Sequence, residues 1–307
     1  MLLTANFHII AELIACLFAF KLARERIMMQ IVKLITETRS IISKHKANGK
    51  RIGFVPTMGA LHNGHLSLVA QSKKDNDITV VSIFVNPTQF NNPNDLKTYP
   101  RILDKDLELL SEYQPDLIFI PEVEEVYPEP DTRVFDFGEL EKVMEGKNRP
   151  GHFNGVAQVV SKLFDYVSPD NAYFGQKDFQ QVAVIKQMTK DLKLDINIVA
   201  CPIIRELDGL AMSSRNMLLS ELERKNAAKI SETLFKACNL VPDFGVSQLK
   251  EWVITEINNN AYLEVEYFEV VDDTSLKSIE KWEDSSSRIA CITVQVGKVR
   301  LIDNISL

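Results

Sequence analysis

The sequence has few cysteines, no basic cluster and no long uninterrupted apolar run. Its four cysteines, Cys16, Cys201, Cys238 and Cys291, lie far apart and share no CxxC or Cys/His spacing, so neither a zinc site nor a disulfide framework is predicted. A formal net charge of -7 without a lysine- and arginine-rich segment argues against a nucleic-acid partner, while a small anionic substrate remains compatible with it. We therefore expect a protein of the reducing cytoplasm.

The first 28 residues differ in composition from the rest of the chain. An apolar stretch over residues 7–20 contains Glu12 and is followed by basic residues, the reverse of the charge order in a signal peptide. The stretch is also shorter than a membrane span, so no stable membrane association is expected. We favour an upstream extension, with translation starting at Met28 or Met29; a membrane-associated helix is the alternative.

Residues 29–204 carry a pattern of alternating helices and strands in a chain with the composition of a globular protein, 45% hydrophobic and 25% charged. Apolar spacing from Ile31 predicts a helix that ends at Asn48-Gly49. Short apolar and β-branched runs predict strands over residues 52–55, 78–85, 117–120, 172–174 and 196–200. Further helices are predicted over residues 65–76, 102–113, 156–167 and 179–192. This order predicts an α/β fold with a doubly wound parallel sheet.

Residues 205–307 predict a smaller α+β domain. Ser220 and Glu223 have the spacing of a capping box at the start of a helix that ends near residue 239. A second helix is predicted over residues 247–258. Strands are predicted over residues 265–271, 289–296 and 299–302, with a hairpin turn at residues 297–298.

Four polar clusters follow predicted strands, and we expect them to share one crevice because ligands bind outside the carboxyl ends of strands in open α/β sheets. In the first, PTMGALHNGH, Gly59 and Gly64 allow tight turns, and His62 and His65 stand three residues apart at a helix start. Free N–H groups, the helix dipole and a protonated or hydrogen-bond-donating imidazole suit a triphosphate. An isolated HxxH is more often a pair of surface histidines, but the glycines and the preceding strand favour the phosphate site.

The second and third clusters each have a structural alternative. The amides of Asn86 and Gln89 offer donors and acceptors to the hydroxyl or carboxylate of a small substrate, although Asn-Pro also marks an ordinary turn. In GQKD, residues 175–178, Lys177 is suited to β- and γ-phosphates. Asp178 is suited to a helix cap, a ribose or a metal ion.

The fourth cluster, MSSRN at residues 212–216, lies where the pattern changes between the two domains. Two hydroxyls and the Arg215 guanidinium form a compact set of phosphate donors, and a serine-rich helix start is the alternative. Tyr99, Arg149 and His152 are weaker candidates for substrate contact, since a single polar residue in a loop is usually only solvated.

In this order the motifs closely resemble those of the pantoate–β-alanine ligase family, the pantothenate synthetases. The resemblance covers residues 29–307 and rests on PTMGALHNGH, NPTQF, YPR, RPGHFNGV, GQKDFQQ and DGLAMSSRN. HNGH is similar to the HIGH-type motif of the wider nucleotidyltransferase superfamily, and MSSRN stands in the place of its KMSKS-type loop. The resemblance implies a Rossmann-like domain, a smaller carboxyl-terminal domain that covers the active site, and a homodimer.

The resemblance also implies roles for individual residues. His65 would be the catalytic histidine and His62 its partner, while Gln89 and Gln181 would bind pantoate, Gln89 also meeting β-alanine. The implied ATP contacts are Thr57, Met58, Gly59, Ala60, Leu61, Asn63, Gly64, Gly175, Gln176, Lys177, Asp178, Ile204, Met212, Ser213, Ser214 and Arg215. Gln176 departs from the family pattern, in which glutamate is common, and the first 28 residues have no counterpart in it.

The implied reaction is the ATP-dependent condensation of pantoate with β-alanine. Pantoate attacks the α-phosphate to give pantoyl adenylate and pyrophosphate, with Mg²⁺ neutralising the phosphates, and β-alanine then displaces AMP. His62, His65, Lys177 and Arg215 are expected around the phosphates. One alternative is a nucleotidyltransferase with a stable nucleotidyl product, which the paired glutamines disfavour. The other is a catalytically silent nucleotide-binding protein, which the intact phosphate-contacting positions disfavour.

Overall fold

The structure, a computed structural model, describes residues 29–307, so the interpretations of residues 1–28 concern a segment outside the described range. A sheet in the first part of this range contains β1 (Gln30–Val32), β2 (Ile52–Thr57), β3 (Ile78–Ile83), β4 (Leu117–Phe119), β5 (Asn171–Gly175) and β6 (Asn197–Cys201). The strand order is β1-β4-β3-β2-β5-β6, and the strands pair in parallel. The order reverses between β2 and β5, and this switch point is where such sheets bind ligands.

Helices cover both faces of this sheet. They are α1 (Ile35–Ala47), α2 (Asn63–Asp75), α3 (Pro93–Thr98), α4 (Leu103–Tyr113), α5 (Val123–Val126), α6 (Met144–Asn148), α7 (His152–Val167) and α8 (Phe179–Asp191). Successive strand residues point to opposite faces: Phe54 and Val80 belong to one apolar core, Val55 and Val81 to another. The predicted doubly wound α/β architecture is therefore confirmed.

The start of the described chain corrects one prediction. The helix expected from Ile31 begins only at Ile35, because Gln30–Val32 form an edge strand that pairs with Leu117–Phe119. Val32 is 1% exposed, so tertiary pairing and burial outweigh the local helical spacing. The other predicted strands and helices are confirmed, with ends that shift by a few residues. The short helices α3, α5 and α6 had no predicted counterpart.

The carboxyl-terminal part has a core of its own. It contains α9 (Glu221–Leu240), α10 (Val246–Asn258), β7 (Leu263–Asp272), β8 (Arg288–Val296) and β9 (Val299–Ser306). The three strands form an antiparallel sheet in the order β7-β8-β9 and share an apolar core with the two helices. Ser220 and Glu223 form the predicted capping box, and Gly297, with φ of 59°, makes the predicted turn. The α+β architecture is confirmed, while the boundary at residue 205 stays a prediction.

Polar contacts join the two parts beside the switch point. Asn304 on β9 donates hydrogen bonds to the backbone carbonyls of Gln176 at 2.8 Å and Lys177 at 3.0 Å. The neighbouring Asp303 is paired with Arg205 at 2.6 Å. The carboxyl-terminal sheet is thereby anchored to the loop after β5. In residues 29–307, no helix is both long enough and apolar enough to cross a membrane.

Candidate active site

A buried carboxylate shapes the loop after β2. Gly59 and Ala60 have φ of 86° and 49°, in the left-handed region that costs alanine conformational energy. Asp106 on α4 accepts hydrogen bonds from the backbone N–H groups of Ala60 at 3.0 Å and Leu61 at 2.6 Å, and it is 1% exposed. Burial raises the pKa of Asp106, against the lowering effect of the two N–H groups. These contacts fix the turn that leads into the histidine motif.

His62 and His65 form a capping box at the start of α2. The Nδ1 atom of His62 accepts a hydrogen bond from the Gly64 N–H at 3.1 Å, and Nδ1 of His65 accepts one from the His62 N–H at 3.3 Å. The ring centroids are 4.1 Å apart, so the imidazoles lie side by side at the helix start, as their spacing predicts. A Cβ at residue 64 would lie 2.8 Å from the His62 ring, which is why the cap requires glycine there.

Both imidazoles are neutral near pH 7 and carry their proton on Nε2. Burial, followed by the charges of His65 and Lys177, lowers the pKa of His62 to about 2. Burial and Lys177 lower the pKa of His65 to about 4. Because each Nδ1 accepts a hydrogen bond, the single proton of each neutral ring must be on Nε2. The two residues are therefore neutral hydrogen-bond donors rather than cations. The sequence analysis allowed either a protonated or a hydrogen-bond-donating imidazole, and the structure favours the second.

The side chain of Asn86 is used entirely within the protein. Its Nδ2 donates to Gln89 Oε1 and to the Gly155 carbonyl, both at 3.1 Å. Its Oδ1 accepts from Thr88 Oγ1 at 3.1 Å and from the Tyr127 hydroxyl at 2.8 Å. With 1% exposure, Asn86 lies behind Gln89 and orients that amide. Both residues line the smaller cavity, and the Gln89 Nε2 group lies 3.2 Å from Met58 Sδ.

The GQKD segment forms a 3₁₀ turn, Gln176–Asp178, between β5 and α8. Lys177 Nζ lies 3.7 Å from Asp178 Oδ1, and the Lys177 side chain is 17% exposed. The helix cap considered for Asp178 is wrong, because its side chain makes no capping hydrogen bond to α8 in the described structure. The Asn304 side chain holds this turn by donating to the backbone carbonyls of Gln176 and Lys177. Lys177 and Asp178 are consequently fixed at the edge of the crevice.

The two serines of MSSRN have different partners. Ser213 Oγ accepts a hydrogen bond from the Arg215 N–H at 3.2 Å and caps the 3₁₀ turn Ser214–Leu218. Because it acts there as an acceptor, its own hydroxyl proton stays available to a ligand. Ser214 Oγ donates to the Ala60 carbonyl at 2.9 Å and is buried. In this arrangement Ser214 ties the loop to the histidine motif instead of offering its proton to a phosphate.

Arg215 is held against the cavity by a charge and an aromatic ring. Its Nη2 lies 2.9 Å from Asp95 Oδ2, and its guanidinium carbon lies 5.8 Å from the centroid of the Tyr99 ring. Tyr99 is buried, and its hydroxyl donates to the Gly59 carbonyl at 3.4 Å. The MSSRN and YPR motifs therefore meet beside the histidine loop.

Two adjoining cavities collect most of the candidate residues. The smaller, about 200 Å³, lies at the switch point. The candidate residues from the sequence that line it are Thr57, Met58, His62, Gly64, His65, Asn86, Gln89, Tyr99, Gly175, Lys177, Asp178, Gln181, Ile204, Met212, Ser213, Ser214 and Arg215. The larger, about 580 Å³, lies between the two parts of the chain and shares Lys177, Asp178, Gln181, Ser213 and Arg215 with the smaller.

Some candidate residues lie elsewhere. Arg149 and His152 line the larger cavity but not the smaller one. Gly59, Ala60, Leu61, Asn63 and Gln176 are not among the residues that line either cavity. The first three instead form the supporting turn above Asp106. These residues belong to the motif because they shape the backbone. A sequence motif alone does not show which of its residues shape the backbone and which contact a ligand.

The sequence interpretation missed two buried carboxylates that organise the site. Asp106 falls among Leu103, Leu107 and Leu110 at helical spacing, so its place on an apolar stripe was the available signal. Glu145 carried no such signal. It is 8% exposed and accepts two hydrogen bonds from Arg300, at 2.6 and 2.7 Å, across the contact between the two parts.

A parallel sheet with a switch point, a histidine pair at a helix start and cationic side chains around one crevice are the features of an enzyme that binds a phosphate-bearing ligand. A family model described as pantoate-beta-alanine ligase matches residues 30–306. Pantothenate synthetase from Bacteroides thetaiotaomicron is 53% identical over 277 residues, which cover 90% of this chain and 98% of that relative. The Phocaeicola vulgatus enzyme is 54% identical over 278 residues, covering 90% and 99%.

Solved structures agree. Pantothenate synthetase from Thermus thermophilus has a TM-score of 0.85 and 38% identity, covering 90% of this chain and 99% of that one. Pantoate-beta-alanine ligase from Francisella tularensis, complexed with beta-gamma ATP and beta-alanine, has a TM-score of 0.78 and 39% identity, covering 91% and 98%. The chain belongs to the pantoate–β-alanine ligase family. It is a ligase that condenses pantoate with β-alanine in an ATP-dependent reaction.

Proposed function

We propose that pantoate attacks the α-phosphate of ATP beside His62 and His65. The observation that carries this proposal is the hydrogen bonding of both rings, which leaves both Nε2–H groups as donors in the smaller cavity. Donors fixed before the reaction stabilise the negative charge that develops on the α-phosphate, and they need no reorganisation to do so. The two imidazoles thus act as neutral donors to the transition state.

The β- and γ-phosphates lie between Lys177 and Arg215 in this proposal. Both cations line both cavities, so a triphosphate extends from the histidines toward the space between the two parts. The Ser213 hydroxyl adds a donor. Main chain and apolar side chains surround the rest of the nucleotide, at Thr57, Met58, Gly64, Gly175, Ile204 and Met212.

Pantoate is held by Gln89 and Gln181. Gln89 lines the smaller cavity, and Gln181 on α8 lines both cavities, which supports a carboxylate and hydroxyls bound between the two amides. Asn86 contributes by orienting Gln89. Tyr99 contributes by packing against Arg215.

β-Alanine completes the reaction in a second step. Its uncharged amine attacks the carbonyl carbon of pantoyl adenylate and forms the C–N bond. The bond from that carbon to the phosphate oxygen breaks, AMP leaves with the electron pair, and the amine releases a proton to solvent. Water would compete for the same mixed anhydride. The carboxyl-terminal part, anchored through Asn304 and Arg300, limits this competition by covering the crevice.

Mg²⁺ enters with ATP. Within residues 29–307, no group of three His, Cys, Asp or Glu side chains is placed to hold a metal ion, so the residues present do not form a metal site of their own. Mg²⁺ is commonly bound by phosphate oxygens with one or two carboxylates. Asp178, 3.7 Å from Lys177, and Asp95, 2.9 Å from Arg215, would supply such carboxylates beside the phosphates. Bound Mg²⁺ supplies charge neutralisation for the triphosphate.

We further propose that the chain works as a homodimer, as the family resemblance implies, and that it lies in the cytoplasm, as its sparse cysteines indicate. Light scattering of the purified protein tests the dimer directly. Cell fractionation tests the compartment.

Pantoate-dependent exchange of labelled pyrophosphate into ATP tests the first step without β-alanine. AMP and pyrophosphate should be released only when pantoate is present, and pantothenate should form only when β-alanine is added. Release of AMP at the same rate without pantoate, or no release at all, contradicts the proposed mechanism.

A further inference from the structure

Arg149 lines the larger cavity, and part of its guanidinium has no hydrogen-bond partner among residues 29–307. Its side chain is 21% exposed, and its Nη1 lies 3.1 Å from His152 Nε2. Among residues 29–307, its Nε and Nη2 atoms have no hydrogen-bond partner, and neither atom is sealed from solvent. Within the described part of the chain, Arg149 therefore lines the cavity with two unpaired N–H groups on the same edge of its guanidinium.

Glu145 steadies Arg149 without saturating it. The nearest approach between the two side chains is 3.6 Å, from Arg149 Nη1 to Glu145 Oε2. The Glu145 oxygens are occupied instead by Arg300 at 2.6 and 2.7 Å and by the Tyr267 hydroxyl at 2.8 Å. The carboxylate nearest to Arg149 is thus committed to another guanidinium.

His152 places Arg149 at a defined distance from the pantoate-binding loop. The Gln89 carbonyl can only accept a hydrogen bond, so His152 Nδ1, 2.8 Å away, carries the proton and donates. His152 Nε2 then accepts from Arg149. One imidazole ring therefore separates the guanidinium from the backbone of Gln89. Two methylene groups separate the amine of β-alanine from its carboxylate, roughly 3.8 Å from nitrogen to the carboxylate carbon in the extended form.

We propose that Arg149 binds the carboxylate of β-alanine and so selects an amine that carries an acid group. The proposal rests on the proposed function of the site, in which the amine attacks an adenylate held by Gln89. A guanidinium with two free donors matches a carboxylate in bidentate geometry. Lys177 and Arg215 remain beside the histidines for the phosphates. His152 and Glu145 act as positioning residues that hold Arg149.

Selectivity between amines tests this role. Arg149→Met should lower kcat/KM for β-alanine by about 10- to 100-fold, the range of a lost charge-assisted hydrogen-bond pair. For n-propylamine, which lacks the carboxylate, kcat/KM should stay within about twofold of wild type. Arg149→Lys keeps the positive charge but loses the bidentate geometry of the guanidinium. Its kcat/KM for β-alanine should fall between those of wild type and Arg149→Met. Lys147→Met removes an exposed cation on α6 that lines neither cavity and should leave both values unchanged.

Pyrophosphate exchange separates this proposal from the proposed function. Arg149→Met should retain pantoate-dependent exchange, since the first step does not involve β-alanine. Arg149 does not bind the β-alanine carboxylate if Arg149→Met lowers the exchange rate as much as it lowers kcat/KM for β-alanine. The same conclusion follows if kcat/KM falls equally for β-alanine and n-propylamine. Absence of exchange in wild type would instead overturn the proposed function. Circular dichroism and thermal unfolding of each variant identify any loss of fold.

Discussion

Ser214 Oγ donates a 2.9 Å hydrogen bond to the backbone carbonyl of Ala60, joining positions 154 residues apart in the sequence. Ala60 belongs to the histidine loop and Ser214 to the MSSRN loop. Ala60 is also held by Asp106 through its N–H group. The two loops that supply the side chains proposed to face the phosphates are therefore one connected unit, supported by a buried carboxylate.

Ser214→Ala should loosen this unit. We expect a loss of about 1 kcal/mol in the free energy of unfolding, because a buried carbonyl loses its donor, together with slower pantoate-dependent pyrophosphate exchange. Urea unfolding and exchange kinetics measure the two effects. Ser111→Ala is the matched control, since among residues 29–307 that hydroxyl bonds only to the Glu108 carbonyl within its own helix. An exchange rate equal to wild type shows that the link between the loops does not serve the first step.

Gly64→Ala should disturb the orientation of His62. The added Cβ would lie 2.8 Å from the His62 ring, and the cap that holds Nδ1 would have to open. We expect a drop of at least about tenfold in the rate of adenylate formation, the usual scale for a misplaced catalytic donor, with circular dichroism unchanged. Gly245→Ala is the control, because a Cβ there meets its nearest atom at 3.6 Å. Equal rates for the two variants contradict the need for glycine at residue 64.

His65→Ala should abolish adenylate formation while the fold is retained, because a donor to the α-phosphate is lost. Pantoate-dependent pyrophosphate exchange measures the first step, and circular dichroism measures the fold. His45→Ala, in the last turn of α1 and away from both cavities, should behave like wild type. Near-normal exchange in the His65 variant excludes the role proposed for it.

Acidification should destabilise the protein through its buried neutral histidines. In the folded chain the pKa values of His65 and His152 are both about 4, lowered first by burial, whereas an unfolded histidine titrates near 6.5. Between these values the unfolded chain binds protons that the folded chain does not. Their stabilising contribution is therefore complete above about pH 6.5 and declines toward pH 4, by about 1.4 kcal/mol per pH unit for each histidine.

Urea unfolding at a series of pH values measures this dependence. The His65→Gln and His152→Gln variants should each show a shallower decline between about pH 6.5 and pH 4 than wild type. A slope that is the same in wild type and in both variants means that neither histidine is held neutral in the folded protein.

Local pattern was enough to predict most elements of the fold. A short apolar run predicted β2 and a β-branched run predicted β3, because both strands are buried on two faces. The Ser220–Glu223 spacing predicted the start of α9. Gln30–Val32 were misjudged because their pairing with β4 involves residues almost 90 positions away. A window of neighbouring residues contains no trace of such a pairing.

The sequence by itself determined the order of the motifs, and with it the family and the side chains available for phosphate, amide and carboxylate recognition. Tertiary structure decided what each side chain does. Asn86 and Ser214 make their hydrogen bonds within the protein, whereas His62 and His65 turn neutral donors toward the cavity. The physical reason is that burial and hydrogen-bond partners set protonation and free donors. Those partners, such as Asp106 beneath Ala60, come from distant segments that only the folded chain brings together.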